Sequence, residues 1–204
     1  MKVKNYGIHD NYNARKEKVV FQDTRDRTDE FQDNVYKFLK DLISECDIVN
    51  PIVADIGAGS GYKLEKWVPE IQGNNLIGYE LEPNLSFLRE KYPNKTWVES
   101  NFSKEPLRAD IVICADVIEH LLNPDDLLEF INKMEPKHVI ISTPDRDLLV
   151  NLLGRDNNGP PHNQYHIREW NKSELFEYLS HFFTVVNQYH VKEEYQQYIH
   201  CIKK

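Results

Sequence analysis

Cysteine is scarce. The three in this chain, Cys46, Cys114 and Cys201, are odd in number, far apart and without metal-ligand spacing, which excludes a disulfide framework and a cysteine-based metal knuckle. They read as reduced and structural. No apolar run approaches the length of a membrane span, and the first residues, MKVKNYGIHD, lack an apolar signal core. The expectation is a soluble, cytoplasmic protein without a membrane span. Basic clusters are missing as well: 25 lysines and arginines lie scattered among 33 acids, for a net charge of −8, which argues against nucleic acid as the main partner. There is no repeat and no low-complexity tract. A chain of 204 residues is long enough for one well-buried α/β domain and short for two, so residues 1–204 read as a single domain, monomeric or homodimeric.

The chain is organised around Val53-Ala54-Asp55-Ile56-Gly57-Ala58-Gly59-Ser60-Gly61. An apolar run that ends near an acid and breaks into alternating glycines predicts a buried strand, a tight turn and a helix start. Glycines allow positive φ and let a ligand approach the main chain where a Cβ would intrude. A dinucleotide loop needs its third glycine three positions after the second, and that position is Tyr62. Asp55 points the same way, because a carboxylate beside a helix N-terminus repels phosphate and suits a cation. S-adenosylmethionine (SAM) brings a sulfonium and an amino group and no phosphate. The stretch resembles the first motif of the class I SAM-dependent methyltransferases, in which a strand ends in an acid followed by GxGxG. A dehydrogenase is the less favoured reading.

Further strands are expected at 76–80, 96–98, 109–114 and 139–142, alternating with helices at 62–68, 84–92 and 124–134. A helix from about residue 29, capped by Thr28 or Asp29, precedes the first strand, and a helix over 173–182 is capped by Asn171. Two β-rich runs, 183–190 and 195–202, pair as a hairpin around Lys192-Glu193-Glu194. Together these predict a doubly wound, Rossmann-like α/β fold with a seven-stranded, mostly parallel sheet and an antiparallel C-terminal hairpin. Its ligand lies across the carboxyl ends of the parallel strands. Residues 1–28 read either as a loose N-terminal arm or as a lid over the cofactor.

Glu80 ends the second strand 19 residues after Gly61, where a carboxylate can bond both ribose hydroxyls. Asn101-Phe102 after the third strand suits the edge and face of an adenine. The segment ADVIEHL (115–121) resembles the stretch after strand four in small-molecule methyltransferases that include ubiquinone-type O-methyltransferases. That resemblance puts Ala115 and Asp116 beside the methionine end of SAM. With the neighbours Ala58 and Leu81, the implied cofactor set is Asp55, Gly57, Ala58, Gly59, Gly61, Glu80, Leu81, Asn101, Phe102, Ala115 and Asp116. The long connection 143–170, too long for a simple turn and too rich in Pro, His and Trp for disorder, reads as an acceptor-side loop with a short apolar turn at 148–153. It resembles a STPDRDLL…GPP.N..H.REW segment of methyltransferases associated with glycan-building gene sets. The resemblance implies transfer from SAM, giving S-adenosylhomocysteine, to a sugar hydroxyl of a surface glycan, a deoxyhexose such as rhamnose being one example. The alternatives are another small acceptor, such as a phenol or quinone precursor, and a SAM-binding protein without catalysis.

A sugar hydroxyl is a poor nucleophile near neutral pH and needs a base; histidine matches that range best. The catalytic candidates are His166 and His120, with Asp145 as orienting group or alternative base. Each histidine has a purely structural reading beside the catalytic one. His162, Arg168 and Trp170 are candidates for acceptor binding, Trp170 equally for a core plug. No metal is required by the spacing, although Asp116, Glu119, Asp145 and Asp147 offer oxygens for Mg²⁺.

Overall fold

The structure is a computed structural model that describes residues 4–18, 23–28, 31–71, 73–154 and 157–204. One seven-stranded sheet runs through it. Its strands are β1 (Val53–Ile56), β2 (Gly73–Glu80), β3 (Lys95–Glu99), β4 (Ile111–Ala115), β5 (His138–Pro144), β6 (Phe183–Val191) and β7 (Gln196–Lys203), in the order β3-β2-β1-β4-β5-β7-β6. β1 to β5 are parallel, and β7 lies antiparallel between β5 and β6. The expected fold class is therefore the observed one.

Alternation along the central strands builds two cores. On β4, Val112 and Cys114 face one side, while Ile111, Ile113 and Ala115 face the other, and all five are buried. One face is covered by α1 (Asp33–Glu45), α2 (Tyr62–Trp67) and α3 (Asn84–Lys91), through Leu39, Leu64 and Leu88. The other is covered by α4 (Pro124–Lys133) and α6 (Lys172–Leu179), through Leu128, Ile131 and Leu175.

Several boundaries differ from the sequence expectation. α1 begins at Asp33 behind a left-handed Gln32, so Thr28 is not its cap; Asp29 lies outside the described residues, as does Phe21. Asp33 instead gathers Lys63 at 2.9 Å, Lys66 at 2.6 Å and the Trp67 indole at 3.0 Å, which fixes α1 against α2. Residues 146–153 form a true helix, α5 (Arg146–Leu153), because Asp145 caps it by accepting from the Asp147 amide, and Gly154 closes it in the left-handed region. Glu119-His120 belongs to a 3₁₀ turn (Ile118–His120), and α4 starts at Pro124 as expected. α6 ends at Leu179, three residues short of expectation, while its Asn171 cap is present as a capping box with Glu174.

The N-terminal segment is stitched down. The Trp170 indole donates to Tyr6 O at 2.8 Å, the Arg15 amide to Ile167 O at 2.9 Å, and the Glu169 amide to the Tyr12 hydroxyl at 3.0 Å. At Gly7, φ is +79°, and a Cβ there would stand 2.9 Å from Glu174 O, so glycine is what lets the arm lie on α6. Trp170 is fully buried and stacks on Tyr178 at 5.8 Å between ring centroids. Trp170→Ala is expected to cost about 3–5 kcal/mol, as truncation of a buried indole does. Chemical denaturation measures this, and a loss under 1 kcal/mol would show that the arm and loop do not depend on it.

Candidate functional site

The carboxyl ends of β1, β2, β4 and β5 meet along one edge, and the antiparallel β7 starts at that edge, since Gln196 pairs with Pro144. The glycine turn leaves β1 with φ of +82° at Gly57, +58° at Gly59 and +72° at Gly61. A Cβ at Gly57 would meet Val117 Cγ2 at 2.3 Å, whereas at Gly59 its nearest atom would be Thr24 Oγ1 at 3.4 Å. Thr24 also accepts from Asn84 Nδ2 at 2.6 Å, and Arg27 O accepts from the Ser60 hydroxyl at 2.7 Å. The chain before α1 thus lies on the glycine turn.

Buried carboxylates dominate this edge. Glu80 accepts from the Gly59 and Leu81 amides, both at 2.7 Å, and burial still raises its pKa. Asp55 is wholly buried, with Oδ2 accepting from the Tyr36 hydroxyl at 2.9 Å and Oδ1 without a partner. Burial pushes its carboxyl up to about 7, against the Tyr36 bond, which lowers it. Asp116 holds a left-handed φ of +53° and accepts from Gln32 Nε2 at 2.8 Å, from Gln196 Nε2 at 2.8 Å and from the Ser142 hydroxyl at 2.9 Å. Gln196 Oε1 has no partner. Ala58 and Ala115 are buried beside these groups. Asn101 accepts from the Ser103 amide at 3.1 Å, and Phe102 packs on Phe130 at 5.2 Å.

Beyond Asp116 the structure brings His120 and His166 together, rings 4.9 Å apart and near perpendicular. The contact is made by the loop after α5, where the Ile167 amide donates to Glu119 O at 2.7 Å. Glu119 is wholly buried between the two histidines. Its Oε2 accepts from the Thr143 hydroxyl at 3.2 Å, and burial, then Asp116, hold its pKa well above the usual range. Burial, and next the neighbouring His166, lower His120 to about 4, so it is neutral at pH 7.

Asp145 does not join this pair: it caps α5 and contacts His190 at 3.1 Å, which is a structural position. Trp170 is a core plug with no free face for a sugar to stack on. Arg168 is buried too, its guanidinium 4.2 Å from the Tyr6 ring centroid and donating to Leu122 O at 3.0 Å. His162 is exposed on the loop. The oxygen quartet of Asp116, Glu119, Asp145 and Asp147 does not converge; among the described residues the one metal-capable group is Glu119, His120 and His166. Sequence reasoning missed Gln32, Tyr36 and Gln196. The start of an antiparallel strand at a parallel edge was a signal for Gln196, while nothing but helical periodicity marked Tyr36.

A methyltransferase-domain family model matches residues 25–187, and the chain belongs to that family of SAM-dependent methyltransferases. Solved structures agree in fold. PH0226 protein from Pyrococcus horikoshii OT3 is 18% identical with a TM-score of 0.66, covering 91% of this chain and 97% of that one. A SAM-dependent methyltransferase from Aquifex aeolicus is 18% identical, TM-score 0.63, covering 86% and 94%. Magnesium protoporphyrin IX methyltransferase from Synechocystis PCC 6803, with S-adenosylhomocysteine bound, is 13% identical, TM-score 0.62, covering 85% and 84%. No curated protein matches by sequence.

Asp55 gives a pH test. Its unfolded value is the ordinary 3.8 and its folded value about 7, so the folded protein keeps a proton that the unfolded chain loses across this window. The stabilisation is full below pH 4 and is lost as pH rises through 7. Asp55→Asn keeps an oxygen for Tyr36 and removes this contribution, so the fall in denaturation midpoint from pH 5 to pH 7.5 should shrink. An unchanged fall would assign the slope to the other buried acids.

Proposed function

We propose that this methyltransferase transfers the methyl of SAM to a hydroxyl of a sugar, in a surface glycan, and that a deoxyhexose such as rhamnose is its first acceptor class to test. The observation that carries the reading is the gathering of Glu119, His120 and His166 next to Asp116, where an acceptor would meet the cofactor. When bound, SAM supplies an electrophilic methyl on a cationic sulfur.

The residues at the sheet edge fit that cofactor. A buried carboxylate with an unpartnered oxygen, Asp55 Oδ1, calls for a cationic ligand, and among the described residues no lysine or arginine bonds to the carboxylates of Asp55, Glu80 or Asp116. Glu80 spends one lone pair of each oxygen on backbone amides and keeps the other for ribose hydroxyls. Gly57, Ala58, Gly59, Gly61, Leu81, Asn101, Phe102, Ala115 and Asp116 complete the cofactor side in this reading. Asp116, held by three donors, is oriented rather than free to swing.

On the acceptor side the chain must hold the hydroxyl oxygen in line with the methyl and remove its proton. The Nε2 atoms of His120 and His166 both stand 4.0 Å from Glu119 Oε1, beside the loop whose sequence resembles that of sugar methyltransferases. Exposed His162, with its exposed neighbours on the loop, is available to an acceptor. Trp170 and Arg168 shape this side from the core rather than by contact.

The test is transfer of labelled methyl to nucleotide-linked deoxyhexoses and glycan fragments, against catechols and quinone precursors. Sugar labelling is expected; labelling of phenols alone would move the acceptor class, and binding of SAM without any transfer would favour a non-catalytic role. His166→Ala should lower turnover by roughly a hundredfold with SAM affinity held within about twofold. Glu80→Ala should do the reverse, weakening SAM binding about tenfold or more in calorimetry. Full turnover in the first variant, or full affinity in the second, removes that residue from its role.

A further inference from the structure

We infer that Glu119, His120 and His166 form a site for one divalent transition-metal ion. Glu119 Oε1 is buried and has no hydrogen-bond partner. It stands 4.0 Å from His120 Nε2 and 4.0 Å from His166 Nε2, and the three atoms lie within 4.8 Å of one another. Separations of this size are too long for a shared proton. They suit a common ion: two ligands at about 2.1 Å from one centre are at most about 4.2 Å apart. The two Glu–His distances already fall inside that limit, and the third pair lies within 4.8 Å.

The far side of each imidazole fixes what faces the centre. His120 Nδ1 lies 2.9 Å from Tyr165 O, a carbonyl that can only accept, so Nδ1 carries the proton and Nε2 offers a lone pair. His166 Nδ1 lies 2.6 Å from Glu169 Oε1, a carboxylate behind the ring. A carboxylate or carbonyl behind a histidine is the usual outer support of a metal ligand, since it sets the tautomer and raises basicity. Three acceptors, two imidazole nitrogens and one carboxylate oxygen, thus point at a common centre. One donor reaches the group: Asn163 Nδ2, 2.9 Å from His166 Nε2. Asn163 is exposed on the loop, and turning its amide away when an ion takes that lone pair gives up one further bond, from the Tyr165 amide to Asn163 Oδ1 at 3.0 Å.

The backbone holds the ligands before any ion arrives. Glu119 and His120 sit on the short turn after β4, and the His166 loop is bound to the same turn through Glu119 O, which accepts from the Ile167 amide at 2.7 Å and the Arg168 amide at 3.4 Å. Two nitrogens and one oxygen select a borderline ion, Mn²⁺, Fe²⁺, Co²⁺ or Zn²⁺, over Mg²⁺ or Ca²⁺, which prefer all-oxygen shells. Three protein ligands leave coordination positions open. The side chain of His120 is 35% exposed, so the open side is the one toward solvent.

The consequence for catalysis rests on the proposed hydroxyl methylation. An acceptor oxygen on the open side of the ion loses its proton to water more easily. That oxygen then forms the bond to the methyl carbon as the carbon–sulfur bond breaks, its electron pair staying on sulfur, which becomes a neutral thioether. Here the histidines act as ligands, and the ion takes over from an imidazole the task of activating the hydroxyl.

The test uses the full chain, stripped with a chelator and dialysed against Mn²⁺, Co²⁺ or Zn²⁺ separately, with bound metal counted by elemental analysis. One ion per chain is expected, with Co²⁺ giving a visible spectrum of nitrogen and oxygen ligation. His120→Ala and His166→Ala should each weaken binding at least about tenfold, and Glu169→Gln, behind His166, by about 10–100-fold. Because Glu119 is fully buried, the partly exposed His120 is the variant that keeps the test independent of folding, with SAM affinity as the check. No stoichiometric ion on the wild-type chain, or unchanged binding in both histidine variants, overturns the site. The two readings fail separately. Metal bound at these residues without methyl transfer to any hydroxyl would sink the function and leave the site. Full transfer by a chain that takes up no stoichiometric ion would sink the site and leave the function.

Discussion

The constraint on which the rest of the structure depends is the cost of burying negative charge along one edge of the sheet. Asp55, Glu80, Asp116 and Glu119 all lie at or just beyond the carboxyl ends of parallel strands and are nearly or wholly removed from water, Asp116 the least so by surface. Such charges are tolerated only when bonded or paired. The chain answers with neutral donors: two backbone amides for Glu80, a phenol for Asp55, two glutamine amides and a serine for Asp116, a threonine for Glu119. Neutral donors leave the charge uncancelled, and the raised pKa values of these acids reflect that. The edge is built to receive positive charge from outside.

Those donors come from far apart in the chain, and that explains the fold's less regular features. Gln32, in a left-handed conformation ahead of α1, and Gln196, at the first position of β7, both reach Asp116. The antiparallel hairpin is therefore more than an edge closure. It delivers a side chain to the parallel strands' carboxyl ends, which no further parallel strand could start at.

Much of this was legible in the residues. The glycine turn, Glu80 and the alternation of strands and helices follow from local chemistry, in which each element is specified by its own few residues. The pairing of His120 with His166 was within reach as two candidates and not as a pair, because their contact is made by a 46-residue separation and one backbone bond, Ile167 to Glu119. Trp170 illustrates a choice that local sequence leaves open, between an acceptor surface and a core plug. An indole beside an arginine and a glutamate reads as a binding surface, yet the N-terminal arm, polar and unpatterned in sequence, closes over it and makes it core. Long-range closure by an unpatterned segment leaves no periodic trace.

The loop between α5 and α6 is held at both ends and also along its length, where the Asn13 amide donates to Asn158 O at 2.7 Å and Arg15 donates to Pro161 O at 2.9 Å. At one end α5 is capped by Asp145 and braced by Arg146 on Glu174 at 2.7 Å; at the other, Ile167 to Trp170 are buried. Between them, residues 162–164 are exposed. Changes of sequence at these three exposed positions cost little core packing. Such an arrangement lets the outer face of the loop vary without disturbing the histidine pair or the strand-end acids, which are fixed from behind by buried residues.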